Sequence, residues 1–146
     1  MKTRGFTLIE LLLVIVIIVL SVSVVVSNIG SGNQTALLNG AAREISSGLR
    51  FARGHALTHS KETSLQINLQ ENSYQVTDRS KIYKLSKDIE ITLKIAQSQI
   101  TNENQGGIRF FPDGSSSGGR IILEIEENKR QLDVNWLTGQ VEINEF

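Results

Sequence analysis

The spacing of apolar residues changes along this chain, and each change predicts a different element. From Phe6 to Val26 the sequence reads FTLIELLLVIVIIVLSVSVVV, with Glu10 as its only charged side chain. About twenty apolar residues suffice for a helix to cross a hydrocarbon core, so a membrane span is predicted over residues 6–27. Asn28-Ile29-Gly30-Ser31-Gly32-Asn33 follows. Two glycines this close lower helix propensity and predict a kink or break. Helical periodicity then resumes, with Leu38, Ala41, Ala42, Ile45, Leu49, Ala52 and Ala56 on one stripe. That spacing predicts an amphipathic helix from about Thr35 to His59, its apolar face free to cover a sheet.

From Glu62 onward the period becomes two. Leu65, Ile67 and Leu69 alternate with polar residues, as do Tyr74 and Val76 after a Glu71-Asn72 turn, and then Ile89, Ile91, Leu93 and Ile95. Later runs are Ile108–Phe111, Arg120–Ile125, Gln131–Trp136 and Gln140–Ile143, with turns expected at Glu127-Asn128 and Thr138-Gly139. Ala96–Gly107 is polar and reads as a loop. A long N-terminal helix followed by consecutive short strands predicts an α+β fold, the helix packed on a mainly antiparallel β-sheet domain.

Composition narrows the class. Within 146 residues, setting the N-terminal segment aside leaves room for one modest domain. Fifteen basic and fifteen acidic residues cancel, so nothing global points to nucleic acid or an acidic substrate. Cysteine is absent, which excludes disulfides and thiolate metal sites. Lys2 and Arg4 precede the apolar run, and no charge follows it until Arg43. The positive-inside rule then puts the N-terminus on the cytoplasmic side and the C-terminal domain on the far side of a single-pass membrane protein.

Met1-Lys2-Thr3-Arg4-Gly5-Phe6-Thr7-Leu8-Ile9-Glu10 resembles the class III leader of type IV pilins and pseudopilins. The resemblance implies that a prepilin peptidase/N-methyltransferase removes residues 1–5 by cutting between Gly5 and Phe6, and that Phe6 is then N-methylated. A carboxylate inside a membrane helix costs about 3 kcal/mol on insertion scales and calls for a partner. Cleavage would create one, the free amine of Phe6, in the same helix or in a neighbour. The resemblance favours the neighbour, where the contact sets helix register during assembly; a Glu10 that simply reaches water at the interface is the plainer account.

A second resemblance is narrower. Ile108-Arg109-Phe110-Phe111-Pro112-Asp113-Gly114-Ser115-Ser116-Ser117-Gly118-Gly119-Arg120-Ile121, followed later by Leu137-Thr138-Gly139-Gln140-Val141, is similar to the GspH/FimT group. That group holds the H-type minor pseudopilins of type II secretion and related minor pilins. It implies an assembly subunit without enzymatic activity or cofactor, near the tip of a pseudopilus that supports protein export across the outer membrane. The implied partners are other minor and major pseudopilins and the inner-membrane secretion platform. Residues 28–146 would form the periplasmic domain, with Asp113, Gly114, Ser115, Ser116, Ser117, Gly118 and Gly119 as a subunit-contact loop. The alternative is a minor type IV pilin that takes part in DNA uptake.

Other patterns have plainer readings. Gly114-Ser115-Ser116-Ser117-Gly118 satisfies G-x-S-x-G, but a nucleophile elbow needs a helix after it and a later histidine, whereas His55 and His59 both precede it. A tight turn extended by a flexible connection is expected there. His55 and His59 have metal-binding spacing, but Ala56 stands where the zinc-protease glutamate belongs and no third ligand is near, so no metal site is assigned. Arg43, Arg50 and Arg53 form a strip that Glu44 interrupts, and the C-terminal segment is acidic, which argues against a nucleic-acid partner. Trp136 shares its strand face with Leu132 and Val134 and is expected in the core, while Phe110 and Phe111 should point to opposite sides.

Overall fold

The structure, a computed structural model, describes residues 7–102 and 104–145, the side chains of residues 22–32 excepted. The chain divides into two units, residues 1–35 and 36–146. Gly5 and Phe6, the expected cleavage and methylation positions, lie outside the described residues, as does the rest of the leader.

One helix, α1, runs Leu8–His59. Of the kink or break expected at Asn28–Asn33, the break is not found: α1 continues through Gly30 and Gly32. A glycine costs a helix about 1 kcal/mol relative to alanine, which neighbouring turns of a long cooperative helix offset. In the first unit every side chain from Leu8 to Leu20 is exposed, apolar ones on all sides. Among the described residues no helix is long and apolar enough to cross a membrane. The predicted span over 6–27 falls in part on Phe6 and on side chains that are not described.

In the second unit the predicted stripe is the buried face of α1: Leu38, Ala41, Ala42, Ile45, Leu49, Ala52 and Ala56 are all buried. Among the described residues nine strands follow: β1 (Thr63–Asn68), β2 (Ser73–Val76), β3 (Ile82–Lys84), β4 (Glu90–Lys94), β5 (Ile100–Asn102), β6 (Gln105–Phe110), β7 (Gly119–Ile125), β8 (Asn128–Val134) and β9 (Val141–Glu145). They form a five-stranded sheet, β3-β2-β1-β6-β5, and a four-stranded sheet, β4-β7-β8-β9, and each pairing of neighbouring strands is antiparallel. Period-two alternation puts Leu65 between Val76 and Ile108 in register, and Ile121 between Leu93 and Leu132. These inner faces and the stripe of α1 share one core, in which Phe110 is among the largest fully buried side chains. Small residues let the helix approach closely: a Cβ added at Gly48 would stand 3.0 Å from Leu65 and 3.1 Å from Tyr74.

Three further sequence expectations need correction. Ala96–Gly107 is not a loop: it holds a 3-10 turn at Gln97–Gln99, all of β5 and the start of β6. Its side chains are polar because β5 is an exposed edge strand, and edges are paired through the backbone irrespective of polarity. The β7–β8 turn is Glu126-Glu127, one residue before the expected position, with Ile125 opposite Asn128 and Glu126 at φ 52°. Trp136 is not in the core: β8 ends at Val134, and Trp136 is 66% exposed in the turn that follows. Beyond the last paired residue, alternation no longer decides which way a side chain faces.

Leu49 is fully buried at the centre of the stripe. Leu49→Ala should destabilise the folded domain by about 2–5 kcal/mol, read as a lower denaturation midpoint with an unchanged slope.

Candidate functional site

The loop that joins β6 to β7 is ordered by its own chemistry. Phe111-Pro112-Asp113-Gly114 closes a β-turn, with Gly114 N–H donating to the Phe111 carbonyl at 2.9 Å. Proline at the second position and glycine at the fourth suit that turn. Asp113 Oδ1 accepts from both the backbone N–H (3.0 Å) and the hydroxyl (2.6 Å) of Ser115. The Ser115 hydroxyl and then its amide hold the Asp113 carboxyl below its usual 3.8. Phe111 N–H donates to the Ser115 carbonyl at 3.0 Å. Phe110, the last residue of β6, is buried, and Phe111 just past the strand is half-buried.

Ser116 then turns inward. Its N–H donates to the Trp136 carbonyl (2.8 Å), its hydroxyl to the Asn135 carbonyl (3.0 Å), and the hydroxyl accepts from Gly118 N–H (3.0 Å). Ser117 N–H donates to the Arg109 carbonyl, and the Ser117 hydroxyl accepts from Arg109 N–H. The expected flexible connection is therefore a fixed one. It is pinned because serine hydroxyls and glycine backbones satisfy main-chain groups that the end of the ladder leaves free. Among the described residues the partners of Ser116 are backbone groups, an arrangement for bracing and not for nucleophilic attack. His55 Nδ1 lies 3.1 Å from the Thr63 hydroxyl, and His59 Nδ1 lies 3.2 Å from the His55 carbonyl, the two rings stacked. Among the described residues no three metal-ligating side chains gather.

The loop also meets α1 and the β8–β9 turn. Arg53 Nε donates to the Gly114 carbonyl (3.1 Å) and an Arg50 guanidinium nitrogen to the Val141 carbonyl (3.5 Å). Two of the three arginines read as a strip are thus engaged in holding sheet to helix. Gly139, at φ 63°, passes so close to the Gly114 carbonyl and Arg53 that a Cβ would collide with both. Asn135 organises the turn: its Oδ1 accepts from Leu137 N–H (2.9 Å) and Thr138 N–H (3.1 Å). Such Asn-capped turns have a sequence signal, an Asn two and three residues before the captured amides. Sequence reading also passed over Arg130, which is buried on the inner face with Leu132 and Val134. Its Nε donates to Asn39 of α1 at 2.7 Å, and it pairs with Glu145 at 3.3 Å. The alternation 130, 132, 134 was the available sign.

At the start of α1, Thr7-Leu8-Ile9-Glu10 has the form of a capping box. Glu10 N–H donates to the Thr7 hydroxyl (3.3 Å) and carbonyl (3.1 Å). Glu10 therefore stands in the first helical turn, where a negative charge is favourable to the helix dipole.

Residues 41–139 match the family described as type II transport protein GspH, and residues 1–26 match the prokaryotic N-terminal methylation motif. The chain is 31% identical over 140 residues to type II secretion system protein H of Xanthomonas campestris pv. campestris, covering 96% of this chain and 82% of that protein. Its fold is similar to the minor pseudopilin EpsH of the Vibrio cholerae type 2 secretion system, with TM-score 0.59 at 6% identity over 74% of this chain and 96% of that one. It is equally similar in fold to the type IV minor pilin FimU of Pseudomonas aeruginosa, with TM-score 0.59 at 12% identity over 76% and 90% of the two chains.

Two outcomes test the site's construction. A carboxyl whose folded pKa is depressed stabilises the fold above its unfolded value and loses that contribution as pH falls through the folded pKa. NMR titration should place the Asp113 midpoint below 3.8, and Ser115→Ala should raise it toward 3.8. Ser116→Ala leaves the buried Gly118 N–H unpaired and should cost about 1–3 kcal/mol, seen as a lower melting temperature.

Proposed function

The chain belongs to the type II transport protein GspH family and is a minor pseudopilin, and from that premise we propose that it works near the tip of a type II secretion pseudopilus. The observation that carries this reading is the pairing of two matches on one chain, the methylation motif over residues 1–26 and the GspH family over 41–139. As a pseudopilin it interacts with other pseudopilins. The major and minor subunits and the inner-membrane platform are its proposed partners. Its role is structural; in this reading it carries no reaction of its own and supports protein export through assembly. The fold likeness to a type IV minor pilin is at 12% identity and speaks for the shared fold alone.

In this proposal Lys2 and Arg4 hold the precursor's N-terminus at the cytoplasmic face, with the domain in the periplasm. Cleavage between Gly5 and Phe6 removes both charges and exposes an amine at Phe6, which is then methylated. That amine is the counter-charge for Glu10 of a neighbouring subunit, and the contact fixes helix register. Support comes from the exposed, all-round apolar surface of Leu8–Leu20, which requires lipid or other helices to cover it. The Thr7 cap adds a reason for cutting where the family does, because the helix is already terminated by its own residues two positions past Gly5.

Mass spectrometry of the protein from membranes should find a mature chain that begins with N-methylated Phe6. An intact Met1 terminus would overturn the assignment. Gly5→Val should leave the precursor uncut. Glu10→Val should be cut normally yet recovered less in pseudopilus assemblies; unchanged recovery would remove Glu10 from the register role.

A further inference from the structure

We propose that the Trp136–Leu137 turn is the docking anchor of the periplasmic domain, and that its partner is another pilin-like subunit presenting an apolar side chain beside a carboxylate. This rests on the assembly reading above and moves the contact from the 113–119 loop to the turn that the loop braces.

Trp136 is the only tryptophan of the chain, and it and Leu137 are 66% and 63% exposed side by side. Neither is mobile decoration on a loose tip. The Trp136 carbonyl is held by Ser116 N–H, the Asn135 carbonyl by the Ser116 hydroxyl, and the next two amides by Asn135 Oδ1. Gly139 N–H closes the turn on the Asn135 carbonyl at 2.8 Å. An aromatic anchor fixed before binding loses little entropy on docking, and tryptophan is the residue type most often found to dominate an interface.

Beside the indole lies an open cleft of about 630 Å³. Its walls include Leu93, Ile95, Ala96, Val134 and Trp136, and backbone of residues 117–119 lines it as well. A Cβ at Gly118 would stand 3.0 Å from Trp136 Cβ, so the base of the Trp136 side chain lies directly against bare main chain while most of the residue is exposed. Lys94 is the one charged side chain among the lining residues. It stands opposite Arg120 in register, and Arg120 is neutralised by Asp133 at 2.6 Å. Among the described residues the exposed Lys94 has no ion pair, so its charge beside the cleft is free to meet an acid on the partner. A single uncompensated lysine is too little for an anionic membrane surface, where each basic residue contributes only about 1 kcal/mol.

The lone tryptophan supplies the test. The full-length chain, labelled with 5-fluorotryptophan in detergent, gives one 19F resonance, and purified pilin-like subunits from the same secretion system are titrated into it. The expected result is a shift of that resonance on binding of one subunit. Trp136→Ala should melt at the wild-type temperature and bind that subunit about tenfold or more weakly. Lys94→Glu should also weaken binding, and reversing the partner's acid should restore it. The proposal is overturned if a subunit binds without moving the resonance, if Trp136→Ala binds as tightly as wild type, or if only anionic vesicles move the signal. Wild-type protein that binds none of the subunits would take the assembly reading down as well.

Discussion

Everything in the unit of residues 36–146 depends on the burial of one helical stripe against two sheets. Neither sheet could keep its inner face dry alone, since a twisted sheet of four or five short strands needs a second layer. Residues 38–56 of α1 supply that layer for both. The stripe mixes Leu38, Ile45 and Leu49 with Ala41, Ala42, Ala52 and Ala56, so the helix axis comes close at the alanines while the larger residues fill space between the sheets. Gly48 completes the fit where Leu65 and Tyr74 press against the helix. Packing of this density is felt at the scale of single methylene groups.

Polar ties are laid over the apolar contact at places where strands end. Arg130 reaches Asn39, Arg50 reaches the Val141 carbonyl, and Arg53 reaches the Gly114 carbonyl. Arg50 and Arg53 satisfy carbonyls of strand and loop, Arg130 a side-chain oxygen of the helix, and each tie spans two elements far apart in sequence. The 113–119 loop belongs to the same system: its serines and glycines answer the unpaired main-chain groups of the β8–β9 turn, and so its composition reads as flexible while its structure is fixed.

That difference explains what was legible in the sequence. Period and stripe gave the helix face, β1, β2, β4, β6 and β7, because burial on one side imposes a pattern that no other arrangement satisfies. The leader and the loop around Asp113 carried the family. Strands β3 and β5 were not legible, since they leave most of their side chains exposed and are paired by backbone groups that every residue has. Trp136 was misplaced for a related reason: alternation was extended two residues past the last pair in β8, and the Asn135 turn took over. Arg130 sat in plain alternation with Leu132 and Val134, but a charged residue on an inner face needs its partner, Asn39, to be intelligible. Asn39 lies 91 residues away.

The three arginine ties have a mechanical meaning. They are spread along α1 from Asn39 to Arg53 and join it to two strands and a loop, so a pull on the helix loads more than one of them. A subunit drawn out of a bilayer by its helix would carry the attached domain with it as a rigid load. Extraction force would then be spent on moving the subunit rather than on unfolding it.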